Sequence, residues 1–540
     1  MLARCLTLVA LCCVGLAGCV RAGFVDPAVV CDSGVGSHDT FLPDVLHPDA
    51  TQIPPNAVFI SVTGDDANPG TEAAPWRTWS HALGQLSPGD TLVAMPGVYG
   101  AASKTGYLDA NCSETATQCA GGPCPNGTAT EPITVMAYQE RTAFLKAELD
   151  TGVAVHIRYC RHWRIIGLRS ESIDDPNNSD QGFPVRVGHS EEITLRRMLA
   201  GRPNRYGNTK VYEIISSARV LVEECEAYDF HRSGFIVWNS DEVVLRRNYA
   251  NGRLRANVPG GYITACGDMT PTNSTGFSFG GADKSIAENN VAENVCTGFS
   301  VSMAGGKGDG NILVDNMVLG TFYYGFFMSS SCDSQDPCVD EARIVRDNVF
   351  SDNVALGGRL SRYFRGAVGT TLSHGTALGY QDSGFVFDLS PQNEGLAGTM
   401  QVTGSLAVST GAGRGFSVAE QQSWSVSYSN AHGNTDDYVP ATAEPSNGSY
   451  DPLLGGCVVY IPQGSPGKGT AKAGSDVGAN IILRSENGAL SGTKLWDPVT
   501  GSFPCGAVVS GQNDAATFPD SACINVHGRL HVGSAGCPVP

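Results

Sequence analysis

A short phrase that returns along the middle of the chain constrains the fold more than any other feature. A Gly-Phe pair opens it at Gly182, Gly234, Gly276, Gly298, Gly325, Gly384 and Gly415. In the clearest copy Gly234-Phe235-Ile236-Val237-Trp238 is followed by a polar turn and then by Val243-Val244-Leu245-Arg246-Arg247-Asn248, while Asn290, Asn316 and Asn348 are expected to close later copies. The intervals from 276 to 298 and from 298 to 325 are 22 and 27 residues, the range of stacked-repeat architectures. Phe235 and Val237 alternate with outward residues at the period of a strand. Each coil then bonds only to its neighbours, so the strands form continuous parallel sheets without crossover helices.

With this phrase and the run Ile312-Leu313-Val314-Asp315-Asn316-Met317-Val318, the chain resembles the right-handed parallel β-helix superfamily, the pectate-lyase-like proteins. The resemblance implies an all-β solenoid, with Asn316 at a tight turn and stacked into an asparagine ladder. It covers the scaffold over roughly residues 58 to 480 and carries over no catalytic set. The Arg-Cys-Pro type of signature is missing, and Asn434-Thr435-Asp436 stands alone without the other polygalacturonase elements.

Composition agrees with a turn-rich β protein: 66 glycines and only 16% charged residues in 540. A net charge of -18 argues against a nucleic-acid partner, because a phosphate backbone is repelled. The first residues carry Arg4, an apolar run from Cys5 to Leu16 that is too short to span a bilayer, and then Leu16-Ala17-Gly18-Cys19. This resembles the bacterial lipobox, which implies export, cleavage before Cys19 and lipidation of its thiol. The expected order is a signal over 1–18, a tether over 19–57, the solenoid over 58–480 and a small disulfide-bonded extension over 481–540. The location expected is the outer membrane or cell surface. Fourteen cysteines from Cys31 onward suit an oxidising compartment and up to seven bridges. The local sets are Cys112/Cys119/Cys124, Cys332/Cys338 and Cys505/Cys523/Cys537.

An open solenoid end exposes apolar interior and unpaired strand edges, so both ends need a cap. Pro75 sets up a helix start, and Trp76, Trp79, Leu83 and Leu86 fall on one helical face. At the other end, Ile461 to Ala479 resembles a closing coil. Asp65, Asp66 and Asn68 read as a turn. The densest oxygen cluster lies at Asp174, Asp175, Asn177 and Asp180, which makes it the calcium candidate.

If the Gly-Phe strands form the working sheet, the loops leading into them are 200–209, 228–233, 250–275 and 351–383, and binding residues concentrate on such loops. Residues 196 to 255 hold eleven Arg or Lys against seven acids, +4 within a chain of -18, which suits an anionic ligand. The candidate binding residues are Arg202, Arg205, Lys210, Trp238, Arg253 and Arg255. β-Elimination on a uronate needs a base and a neutralising donor, and His231, Arg232, Tyr262 and Lys284 are the catalytic candidates. Hydrolysis needs two carboxylates across a cleft, and Asp268, Asp283 and Asp309 lie in loops able to converge. The expected function is a polysaccharide lyase-like enzyme acting as a monomer on an acidic polysaccharide. The alternative is a non-catalytic glycan-binding or adhesion lipoprotein, and in either case the chain meets membrane only through its lipid.

Overall fold

The computed structural model describes residues 53–147, 152–175, 177, 182–204, 206–252, 274–303, 308–321, 323–330, 344–366, 368–388, 400–411, 413–418, 424–439, 444–496, 503, 530, 532 and 537. Three long parallel sheets carry almost all of the regular structure, with thirteen, twelve and twelve strands. Every third strand in sequence returns to the same sheet, as in the coil Ser233–Trp238, Val244–Arg246, Tyr249–Asn251 and its successor Thr275–Gly280, Ile286–Glu288, Val291–Glu293. This is a right-handed parallel β-helix, as expected. The thirteen-stranded sheet, which holds Val244–Arg246, is called the first sheet; the sheet of Gly-Phe strands is the second; that of Tyr249–Asn251 is the third.

The structure explains why Gly precedes Phe. A Cβ on Gly298 would lie 2.5 Å from the Gly325 carbonyl oxygen and from Val318, and one on Gly325 would lie 2.5 Å from the Ser361 oxygen. In these coils a Cβ would collide with the next coil, so glycine holds the corner, while Val211 and Ser361 occupy the equivalent position in the coils at either end of the run. The next residue then enters the interior: Tyr212, Phe235, Phe277, Phe299 and Phe326 are buried in a stack with ring centroids 4.6 to 5.1 Å apart. In the following coil the register places Arg362 where a phenylalanine is expected. Its guanidinium lies 5.1 Å from the Phe326 ring and 4.6 Å from that of Phe385, and donates to the carbonyls of Thr376 and Asn353.

Asparagine ladders close the turns. Asn248, Asn290, Asn316 and Asn353 hydrogen-bond in sequence between the first and third sheets. Asn348 is not part of this ladder. It pairs with Asn311 at the turn from the second sheet to the first, so the closing position of its coil belongs to Asn353.

At the N-terminal end the helix Trp79–Gly84 begins after Thr78, whose hydroxyl caps the His81 N–H, and not at Pro75. Trp76, Trp79, Leu83 and Leu86 are all buried over the first coil. Asp66 accepts from the Arg77 and Thr78 backbone and the Thr78 hydroxyl, and Asp65 from Ala67, so the acidic loop is a hydrogen-bonded turn.

The last solenoid strand ends at Val439, well before residue 480. The Ile461–Ala479 segment is not a closing coil. It belongs to a strap that runs back along the outside of the solenoid, tied in turn to His374 by Ser475 (3.0 Å), to Asp352 by the Asn480 N–H (3.2 Å), to Asp315 by Ser485, and to Glu288 by the N–H groups of Asn487 and Gly488. The strap covers an apolar outer face of the third sheet, where Tyr249, Val291, Met317 and Val354 pack with Val459, Ile481 and Trp496. The 351–383 segment is likewise no loop, since it forms strands of all three sheets.

Disulfides join Cys112 to Cys160, Cys119 to Cys124, and Cys457 to Cys537. Cys112 and Cys537 thus pair outside their local sets, because stacking brings distant segments side by side. Cys225 is a buried free thiol, so the ceiling of seven bridges is not reached. Residues 1–18, Cys19, most of the tether, Cys332, Cys338, Cys505 and Cys523 lie outside the described residues.

Candidate functional site

The outer face of the second sheet is where side chains able to recognise a ligand come together. The register aligns Asp109, His156, Arg186 and Glu213 on successive strands, with Arg158 two residues beyond His156. Arg158 pairs with Asp109 at 2.9 Å, and Arg186 with Glu213 at 2.7 Å. Lys210, at the start of its strand, lies 3.2 Å from Glu213 and 5.7 Å from the centre of the Phe183 ring. Burial lowers its proton affinity below that of an ordinary lysine; Glu213 opposes the shift, and the nearby charges of Arg232 and Arg186 add to it. Burial, with Arg158 and Arg186, takes His156 down to about 3, so this imidazole is neutral at neutral pH. Burial also raises the Asp109 carboxyl, against Arg158.

Further along the same face the floor becomes flat. Trp238 is 41% exposed and lies over Gly280, where a Cβ would meet its ring at 2.7 Å; Ser278, Ser300 and Ser302 follow in the outward positions. An aromatic platform then rises at Tyr324, Phe327 and Tyr363. The Tyr324 and Tyr363 rings are 5.5 Å apart, and those of Phe327 and Tyr363 5.9 Å, both pairs near parallel. Tyr323 stands edge-on to Tyr324, with Arg359 5.3 Å over its ring, and the Tyr363 hydroxyl donates to Asp388 at 2.8 Å. From the strand of Lys210 to that of Tyr324 is four strand spacings, about 19 Å at about 4.8 Å each.

The expected site residues divide sharply. Lys210 and Trp238 lie on this face, and the charge of Arg232, next to the Ser233–Trp238 strand, is felt at Lys210. Arg202 sits in the same set of turns but pairs with Asp229 (3.4 Å) and Glu171 (3.6 Å). His231 is buried with Nε2 2.9 Å from the Gly207 carbonyl, to which it donates; an imidazole held inside a turn in this way offers that nitrogen to no substrate. Lys284 is exposed at the opposite edge, where strands leave for the first sheet, so it does not join Arg232. Arg205, Arg253, Arg255, Tyr262, Asp268 and Asp180 lie outside the described residues.

The excess of arginine does not form one basic groove. Arg196 and Arg246 each lie 3.2 Å from Glu223, Arg197 2.6 Å from Glu140, and Arg219 2.6 Å from Glu192. These are ion pairs between coils, set mostly on the first sheet and its turns. Asp283 and Asp309 are also structural: Asp283 accepts from the Gly308 and Asp309 N–H groups, and Asp309 from Arg346.

At the calcium candidate, Asp175 accepts from the Asn177 N–H, and its backbone is held by Asn204. Among the described residues no three carboxylate, His or Cys side chains assemble as a metal site, and the remainder of this loop, with Asp180, lies outside them. What sequence reasoning missed is the column Asp109, His156, Arg158, Arg186 and Glu213. Its members are drawn from four coils, and no local motif marks them; the only signal is one ionisable residue at the same offset in successive repeats.

No family model matches the chain, and no curated protein matches it. Among solved structures it is similar to a lacto-N-biosidase from Eubacterium ramulus, with 13% identity over 73% of this chain and 67% of that one and a TM-score of 0.42. It is similar to the Dettilon tailspike protein (13%, 73% and 69%, 0.42) and to pectate lyase Pel9A (14%, 79% and 97%, 0.40). At such scores these likenesses assign no role to any residue here.

Proposed function

We propose that this protein is an exported, lipid-anchored carbohydrate-active protein that lays an acidic glycan along the outer face of the second sheet and cleaves it by β-elimination. The observation that carries this reading is Lys210: a lysine of lowered proton affinity beside Arg186 and Arg232, at one end of an open face whose other end is aromatic. As the free amine, Lys210 takes the proton α to a uronate carboxylate. The electron pair left behind forms the carbon-carbon double bond and expels the glycosidic oxygen, which leaves with a proton from water. Arg186 and Arg232 hold the carboxylate and offset the enolate charge as it develops. The Tyr324, Phe327 and Tyr363 rings bind sugar faces further along the chain. No step needs calcium.

A second reading is favoured by the 3.2 Å contact to Glu213, which holds Lys210 as an ammonium ion. In that case the face binds glycan without cutting it. Incubating the full chain with a panel of oligouronates and following absorbance of the unsaturated product separates the two. Turnover should rise with pH on a limb below the usual lysine value of about 10.4, and Lys210→Ala should lower kcat by roughly 10²-fold or more. Retention on immobilised glycan with no double bond from any uronate establishes the binding reading; neither retention nor turnover refutes both.

A further inference from the structure

The working face leaves a second concavity unexplained. At the turns from the second sheet to the first, Tyr159 and His189 hold equivalent places on successive coils: the Tyr159 N–H bonds to the Gly188 carbonyl and the His189 N–H to that of Ile215. Both have left-handed backbones, with φ of 58° and 50°, and both side chains are exposed. Their rings are parallel to within 6° with centroids 5.0 Å apart. The next two places in the column are Ser216 and Asn239, with φ of 49° and 52°.

Ser216 is too short to continue the stack, and an open groove of about 610 Å³ lies at its level. That volume falls within the range of small-molecule sites. Ser217 and Ala218 line the groove, and Arg161, Glu191 and Asp241 stand around it. Coils repeat at about 4.8 Å, so a flat ring over Ser216 lies one stacking distance from His189 and one coil from Asn239. Two carboxylates and a carboxamide accept from hydroxyls, Arg161 donates, and the imidazole offers a ring face. Glu191 is paired with Arg161 at 3.2 Å and with Arg219, so the charges around the groove balance and give no excess of cation to hold a phosphate or a uronate.

We infer that this groove is a second saccharide subsite, which takes one neutral pyranose ring over Ser216 as the third member of the Tyr159–His189 stack. It rests on the reading that the protein handles glycan, and it adds a neutral-sugar position at the sheet edge beyond Trp238, the residue next to Asn239 in the chain.

The test is calorimetric titration of the full chain with neutral pentasaccharides of xylose, glucose and galactose, beside the uronate panel. One neutral probe should bind, His189→Ala should weaken it about 10-fold, and Ser216→Tyr should abolish binding by filling the groove. Tyr159 already has this backbone conformation two coils earlier, so the tyrosine is tolerated there; a denaturation midpoint checks this, and His189→Ala decides the matter alone if Ser216→Tyr fails to fold. Absence of binding by every neutral probe, or affinity unchanged in His189→Ala, overturns the subsite. If uronates are still cleaved or retained, only the subsite falls; if no glycan of either kind binds, the functional reading falls with it.

Discussion

Replacing Asn316 by alanine should destabilise this protein more than a polar-to-alanine change usually does, because the residue is a middle rung of a buried ladder. Its Oδ1 accepts from the backbone N–H and the Nδ2 of Asn290, both at 3.0 Å, and its Nδ2 donates to the Ala287 carbonyl at 2.8 Å and to Asn353 Oδ1 at 3.1 Å. Two of these partners have substitutes: Asn290 Nδ2 still reaches the Leu245 carbonyl, and Asn353 Oδ1 still accepts the residue 316 N–H. The Asn290 N–H and the Ala287 carbonyl lose their side-chain partner in a site closed to water. At roughly 1–3 kcal/mol for each unsatisfied buried group, the loss is roughly 2–6 kcal/mol. Asn316→Asp keeps the acceptor but turns the donor into an oxygen facing two other oxygens, so it should be worse at neutral pH and recover partly in acid, where a carboxyl proton restores one donor. Equilibrium denaturation in guanidinium with the disulfides intact, read on the free energy and the steepness together, measures both. A loss under about 1 kcal/mol with unchanged steepness, or no acid recovery in the Asp variant, refutes the view that the ladder locks the coils.

Arg362 provides the opposite case. Burial lowers its proton affinity to about 9 and it sits between two phenyl rings; Arg362→Met relieves that buried charge, the Asn353 carbonyl keeps the Thr376 N–H, and the Thr376 carbonyl loses one donor, so the change should cost under roughly 3 kcal/mol, whereas Phe326→Ala should cost about 3–5 kcal/mol; paired denaturation curves decide. Under the strap, burial raises the carboxyls of Glu288, Asp315 and Asp352, against Arg246 and Arg247 at Glu288 and His374 at Asp352, and the charges of Asp352 and Glu288 raise Asp315 further. Each binds its proton more tightly folded than unfolded, so the stability they contribute is full below about 4 and is lost as pH rises through their folded values; Asp315→Asn should flatten that fall above about pH 4 relative to the parent, measured by denaturation midpoints, and an identical slope refutes the assignment.

The sites were less legible than the scaffold for a physical reason. Arg196, Arg219 and Arg246 look in sequence like a basic patch, yet each lies against a glutamate of a neighbouring coil, and sequence distance says nothing of which coil lies beside which. His231 precedes a Gly-Phe strand and looks poised for chemistry; only packing shows its Nε2 on the Gly207 carbonyl. Lys210 was visible as a cation, but its lowered proton affinity depends on burial and on Arg186 and Arg232 brought from other coils.

What the sequence alone determined was the solenoid: the Gly-Phe pairs, the alternation behind them and the recurrent asparagines are local patterns, repeated because every coil meets the same steric and hydrogen-bonding demand. What only the tertiary structure decided was where the charges meet and how the chain ends. The return of residues 444–496 along the third sheet is set by the apolar face of Tyr249, Val291, Met317 and Val354, residues that lie one per coil and become a surface only when the coils are stacked.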